Sequence, residues 1–304
     1  MFTHPALLYR GEQEFFERVG TFVRGAVAAG EPVLVAVPAP RLHALRDHLG
    51  STARHVTWVD MTDLGRNPGR ILSALHSFAD AHPGRHVHIV GEPIWAGRTA
   101  AETREATRHE ALINLAFAGR SATILCPYDT SALPADVVSG VHRTHPVLTE
   151  GRALWASAHY ADPLQVCGDC DTPLGEPPLS ARVISYAEGG LAGVRAYADQ
   201  WAGGLGLSPD RRTDLMLAIG EAVSNSVRHG GGRGTLRLWA DASTAFAETT
   251  DSGGLGDPLT GRRRPDPVSA TGGRGVWMMH QLCDLVEIRT LPSGLVVRMS
   301  MDIA

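Results

Sequence analysis

Three stretches decide the fold of this chain: E-A-V-S-N-S-V-R-H from Glu221 to His229, D-S-G-G from Asp251 to Gly254, and T-G-G-R-G from Thr271 to Gly275. The first lies in an amphipathic run. Leu215, Ile219, Ala222, Val223 and Val227 recur at helical spacing as one apolar stripe. That leaves Glu221 and Asn225, four residues apart, on another face, one turn above the other. Ser208 as N-cap and Pro209 in the first helical position start this helix, and Gly230-Gly231-Gly232 ends it. The spacing predicts a helix from Pro209 to about His229. A carboxylate on that face can hold a water or hydroxyl, and the Asn225 amide oxygen can hold a Mg²⁺. Asp251, followed by small glycines, offers an acceptor for an exocyclic amine such as that of adenine. The later glycines lead into a short helix, Gly275 to Leu282, whose free N–H groups and positive dipole end suit phosphates. The three parts make a nucleotide site.

Working outward, Ala181–Tyr186 reads as an edge strand and Leu191–Gly204 as an amphipathic helix. Thr235–Ala240 and Ala245–Thr250 read as two antiparallel strands, and Leu285–Leu291 with Leu295–Met301 as a closing hairpin. Residues 254–274, with Pro258, Arg262-Arg263-Arg264 and Pro265, fit a mobile lid whose arginine forks suit phosphate. Each site residue has a plainer role open to it. Glu221 could pair with an arginine, Asp251-Ser-Gly-Gly is a common turn, and the arginine run could be a solvated loop. Those alternatives give no reason for this order and spacing. The chain has no lysine, its 28 basic residues all being arginine, so a Walker-type phosphate loop is excluded.

The three motifs resemble the ATP-binding (GHKL) domain shared by gyrase B, the Hsp90 chaperone, MutL and histidine kinases. Over residues 181–304 they are most similar to the compact anti-sigma-factor serine kinases of Gram-positive stress and sporulation systems. The resemblance implies an α+β two-layer ATP-binding sandwich, the Bergerat fold, with ATP and Mg²⁺ as cofactors. It places the catalytic role on Glu221, Mg²⁺ on Asn225, adenine recognition on Asp251 with Gly253 in support, and phosphates on Gly273 and Gly275. His229, Thr271 and Arg274 complete the nucleotide-binding set. The expected partners are a sigma factor or a STAS-type anti-anti-sigma protein, and the expected assembly is a homodimer. The function implied is an ATP-binding regulatory serine/threonine-protein kinase; the alternative is a non-catalytic, ATP-dependent binding switch. A sensor histidine kinase would need an acceptor histidine on a dimerising helix pair, and residues 163–190 are too short and proline-rich for one.

The first half has a different rhythm. Strand-like runs at Pro32–Val37, His55–Val59, His86–Val90 and Ala122–Cys126 alternate with helical patterns at Glu12–Ala29, Arg41–Leu49, Gly69–Ala81 and Ala100–Ala118. Such alternation predicts an α/β three-layer, parallel-sheet domain over residues 1–162. Its opening H-P-A-L-L-Y-R, V-G-E-P-I-W at Val90–Trp95 and R-H-E-A-L-I-N at Arg108–Asn114 resemble the MEDS sensory domain of methanogen and methylotroph regulators. That family is a relative of the KaiC/RecA-like fold without a phosphate loop. A small-molecule ligand is expected near Glu92, at the C-terminal end of a strand, with Glu110 and Asn114 sharing one helix face. Against this stand a local salt bridge for Glu92 and a solvated face for Glu110 and Asn114.

Residues 163–180 are rich in Pro, Gly and Asp and read as a linker. Cys167 and Cys170 within it have metal or redox spacing, to which His159 and Asp169 could add; an incidental thiol pair is the plainer reading. Cys126 and Cys283 read as small core residues. At 304 residues the chain has room for two domains. A net charge of −4 gives no footprint for nucleic acid. No apolar run reaches bilayer length and no leader-like segment opens the chain, so a cytoplasmic protein is expected. Abundant arginine, alanine and glycine suggest a high-G+C, actinobacterial genome.

Overall fold

A computed structural model describes residues 1–265 and 273–303. The chain forms two compact units, Met1–Cys167 and Gly168–Ala304.

The first unit is built from β1 (Pro5–Tyr9), α1 (Gly11–Ala28), β2 (Val33–Val37), α2 (Ala39–Leu49), β3 (Val56–Asp60), the single turn α3 (Met61–Leu64), α4 (Ile71–Asp80), β4 (Val87–Gly91), α5 (Ala100–Ala116), β5 (Ala122–Asp129), α6 (Ala135–Thr144), β6 (Val147–Glu150) and β7 (Ala153–Ala156). The strands form one sheet in the order β3-β2-β4-β5-β1-β6-β7. All neighbours run parallel except β7, which returns antiparallel on β6. Alternation across the sheet sorts the core. Leu7, Tyr9, Val33, Val35, Val37 and Leu125 point to one face and pack with Phe15, Val19 and Val23 of α1 and Leu42 and Leu45 of α2. His4 and Cys126, one register step away, point to the other face, where His4 meets Glu110 and Asn114 of α5. A sheet buried on both faces reads as continuous apolar strands, and β2, VLVAV, is buried throughout.

Four expected strands and four expected helices appear within a few residues of their predicted ends. The periodicity missed β1, which sits between β5 and β6 in the middle of the sheet. Five residues, PALLY, of which Ala6 to Tyr9 are buried, are too few to show a period of two when both faces are covered. It also missed α6 and the β6–β7 hairpin. The expected linker is not all irregular either: α7 (Pro163–Asp169) occupies its start, and Val166 and Cys167 there are buried.

The second unit comprises β8 (Arg182–Ala187), α8 (Leu191–Ala202), α9 (Pro209–His229), β9 (Arg233–Ala240), β10 (Thr244–Asp251), α10 (Arg274–Leu282), β11 (Leu285–Leu291) and β12 (Gly294–Asp302). Its antiparallel sheet has the order β11-β12-β10-β9-β8. One face carries Leu236, Leu238, Ala245, Ala247, Val297 and Met299, which bury Leu215, Ile219, Ala222 and Val223 of α9, with Val194 and Trp201 of α8 and Met279 of α10. The opposite face carries a charged ladder. Glu248, 2% exposed, receives Arg237 from β9 at 3.1 Å and the Arg298 Nε from β12 at 2.9 Å. Arg298 also donates to the Gly175 carbonyl at 2.6 Å, so part of the Pro-rich segment is tied to this sheet.

Candidate nucleotide site

Helix α9 is the spine of the site. The Ser208 hydroxyl accepts from the Arg211 amide at its start, and Pro209 holds the first turn. The apolar stripe faces the sheet, which turns Glu221 and Asn225, both half-buried, toward α10. A Cβ added at Gly275 would lie 2.5 Å from Glu221 Oε2 and 2.8 Å from Asn225 Nδ2. The absent side chain at Gly275 lets the first turn of α10 sit close against the ends of those two side chains, which would have to shift to admit a Cβ. Gly273, the N-cap of α10, has φ +101, a left-handed conformation that also favours glycine.

A cavity of about 370 Å³ opens between α9, the end of β10 and α10. Asn225, His229, Asp251, Gly253 and Gly273 line it, and Val276, Met279, Ile288 and Val297 supply apolar wall. The volume falls within the range of small-molecule sites, which pair apolar walls with a few placed polar groups. Asp251 is held rigidly there. Its Oδ2 accepts the Ser226 hydroxyl at 2.5 Å and its Oδ1 accepts the Gly253 amide at 2.8 Å. Each carboxylate oxygen keeps a second lone pair. Gly230 makes room for this carboxylate, since a Cβ there would lie 2.3 Å from Asp251 Cγ.

Glu221 does not line this cavity. It borders a neighbouring open groove with Arg195, Arg212, Met216 and Gly220, between α8 and α9. Arg274 and His229 are exposed, whereas Gly275 is buried under Glu221 and Asn225. Thr271 lies outside the described residues, as does the stretch 266–272 of the expected lid. Of the lid arginines, Arg262 is 4% exposed and so is no solvated loop residue, while Arg263 and Arg264 are exposed. Motif spacing did not reveal Ser226 and Gly230, which set the Asp251 carboxylate. The Ser within E-A-V-S-N-S was the available signal.

In the first unit, Glu92 is 1% exposed at the end of β4. Arg41 of α2 pairs with its Oε1, the Tyr9 hydroxyl donates to the same oxygen at 3.4 Å, and Oε2 has no hydrogen-bond partner. Burial raises the Glu92 carboxyl from 4.5 to about 7, against the lowering effect of Arg41. The local salt bridge expected for this residue is present, and a buried oxygen without a hydrogen-bond partner shares the same strand end. Glu110 is fully buried, which excludes a solvated face. It meets His4, His145 and Cys126, residues that nothing in their spacing had brought together. Burial and the facing His145 hold the His4 imidazole below its ordinary value. Cys167 and Cys170 are both buried.

Among the described residues no helix is long and apolar enough to cross a membrane. A search of curated proteins found no match. Solved structures similar to this chain include the ATPase Domain of G40P, at 10% identity and a TM-score of 0.34, covering 49% of this chain and 68% of that one. So low a score carries no argument about fold. The family models are informative. Residues 185–301 match the histidine kinase-like ATPase domain, which implies ATP binding and agrees with the cavity under Asp251. Residues 3–146 match the MEDS family, the methanogen/methylotroph, DcmR sensory domain. The chain therefore joins an N-terminal MEDS domain to a C-terminal histidine kinase-like ATPase domain.

Proposed function

We propose that the second unit binds Mg-ATP in the Asp251 cavity and acts as an anti-sigma-factor-type serine protein kinase under control of the first unit. The observation that carries the nucleotide part is one cavity lined together by Asp251, Asn225 and the N-cap Gly273. Val276, Met279, Ile288 and Val297 would sandwich a base, and the spare lone pairs of Asp251 would accept its exocyclic amine. The Asn225 amide oxygen would hold Mg²⁺. The first amides of α10, which no helical carbonyl can satisfy, would bind phosphate oxygens. Exposed Arg263 and Arg264 supply charge for the transferring group.

The position of Glu221 supports a kinase over simple hydrolysis. It borders an open groove beside the cavity, where a hydroxyl from another protein can enter. In the proposed step a serine oxygen attacks the γ-phosphorus and its proton passes to Glu221. The bond from that phosphorus to the bridging oxygen breaks and ADP leaves. The partner would be a sigma factor or a STAS-type anti-anti-sigma protein, with this chain as a homodimer.

One observation favours a second reading, an ATP-dependent binding switch with little turnover: Glu221 does not line the nucleotide cavity. Glu221→Ala separates the two. A kinase loses phosphate transfer to its partner at least ~10²-fold, the usual share of a positioned base, while its ATP affinity by calorimetry stays within a factor of two. A wild-type chain that transfers no phosphate, yet binds its partner more tightly with ATP present, is the switch.

A further inference from the structure

We propose that the first unit holds a borderline-soft divalent transition metal ion, with Zn²⁺ as its reference, on His4, Glu110, Cys126 and His145. These four side chains are 1% exposed or less. Their ligand atoms all lie within 4.8 Å of one another. His4 Nε2 is 3.1 Å from Glu110 Oε2 and 3.4 Å from Cys126 Sγ, and His145 Nε2 is 3.1 Å from the same Glu110 oxygen. A tetrahedral zinc site with bonds of about 2.0–2.3 Å has ligand–ligand edges of about 3.3–3.7 Å. The cluster is therefore close to the right size before any ion is placed in it.

The outer hydrogen bonds say which atoms carry lone pairs. Asn114 Nδ2 donates to the Thr144 carbonyl at 2.8 Å, so its Oδ1, 3.1 Å from His4 Nδ1, is an acceptor and His4 Nδ1 bears the proton. His145 Nδ1 lies 3.1 Å from the Val141 carbonyl, which can only accept, and 2.9 Å from the Thr144 hydroxyl, which donates to that same carbonyl at 3.2 Å; with the hydroxyl so turned, Nδ1 bears the proton. His4 then turns its Nε2 lone pair toward the Glu110 carboxylate, and His145 Nε2, 3.1 Å from the same oxygen, has no hydrogen-bond partner. Lone pairs at 3.1 Å repel unless a cation lies among them. Two imidazolium rings would also satisfy the geometry, but their centroids are only 4.1 Å apart in a site without solvent. That would bury two like charges against one carboxylate. One divalent ion resolves the arrangement, and imidazoles held at Nδ1 by carbonyl oxygens are the usual outer shell of such a site. Glu110 Oε1, buried without a hydrogen-bond partner, is a spare donor for the same ion.

Two imidazoles, a thiolate and a carboxylate suit zinc and its neighbours rather than Mg²⁺ or Ca²⁺, which take oxygen ligands. All four positions come from the protein, so the site is of the closed, structural kind. His4 precedes β1, Cys126 lies on the adjacent β5, Glu110 is on α5 and His145 caps α6. The ion would thus clamp the central strands to the helices over them.

The test uses the full chain, purified without chelator and analysed by mass spectrometry for metal, then stripped and titrated with Co²⁺ or Zn²⁺. We expect about one zinc per chain, a higher melting temperature with zinc than without, and a thiolate-to-cobalt charge-transfer band. Cys126→Ser should abolish that band, and the Cys167→Ser/Cys170→Ser double variant should leave it unchanged. Should Cys126→Ser fail to fold, Asn114→Ala tests the same site from outside: it should keep the band and weaken zinc affinity about 10–100-fold. A wild-type chain without metal and without the band, or a band that depends on Cys167 and Cys170, overturns the proposal. Saturating Mg-ATP should leave the cobalt spectrum unchanged; competition by Mg-ATP would place the cobalt in the other unit and overturn it too.

Discussion

Asp251 and Glu92 are both partly or fully buried carboxylates, yet their surroundings direct them differently. Asp251 accepts a hydroxyl and an amide and keeps lone pairs facing a cavity. Asp251→Asn replaces acceptor capacity by an amide donor facing the base. ATP affinity should fall by about 1.5–3 kcal/mol, the scale of a hydrogen bond to a charged group; unchanged affinity in calorimetry would remove the adenine assignment. Glu92 instead has its charge opposed by burial, with a folded-state value of about 7 against an ordinary 4.5. A raised folded value means the native state binds its proton more tightly than the unfolded chain. This contribution to stability is therefore full below pH 4.5 and lost as pH rises toward 7. Denaturation of the full chain, followed through Trp58 and Trp95 between pH 5 and 8, should show a decline that Glu92→Gln flattens. A variant with the same slope as wild type would show that Arg41 compensates the carboxylate fully.

At the scale of elements, the sequence was most legible where one face is wet. Helix α9 announced itself through Ser208-Pro209, an apolar stripe and a glycine end, and all three features took the expected roles. Strand β1 did not, because burial on both faces erases alternation. The Asp251 carboxylate was legible as a motif, but its supports at Ser226 and Gly230 depend on how α9 meets β10, which no local pattern encodes. The His4, Glu110, Cys126 and His145 cluster illustrates this furthest, its members joined across sequence separations of 106 and 122 residues. Cross-strand chemistry was likewise hidden. Glu248 sits opposite Arg237 and Arg298 in the registers of β10 with β9 and β12. Truncating it to alanine leaves two arginines without their shared partner. Glu248→Ala should destabilise the second unit by about 3 kcal/mol, within the range for breaking buried pairs and discounted for the partly exposed Arg237. Urea denaturation of the full chain, read through Trp239 on the same face, measures it; a loss below ~0.5 kcal/mol would show that solvent already screens the ladder.

Across the whole molecule, a sensory family and an ATP-binding family share one chain. Coupling between them requires that an occupant of the first unit bind two states of the protein with different affinities. Two features of the first unit suit such an occupant: the spare Glu92 oxygen at the strand ends, and the parallel sheet that positions it. The second unit has its own core and its own nucleotide cavity. A fragment spanning residues 168–304 should therefore bind ATP with an affinity within about threefold of the full chain, since its Asp251, Asn225 and Gly273 are untouched. A ligand found to raise the melting temperature of the first unit should change ATP affinity or phosphate transfer in the full chain by roughly 5–150-fold, the usual span of allosteric coupling. It should do nothing to the fragment. A ligand that acts equally on both would be binding the ATPase unit itself. A full chain whose ATP affinity and phosphate transfer ignore every ligand of its first unit would leave that unit a scaffold, and the regulation would then have to enter through the partner protein.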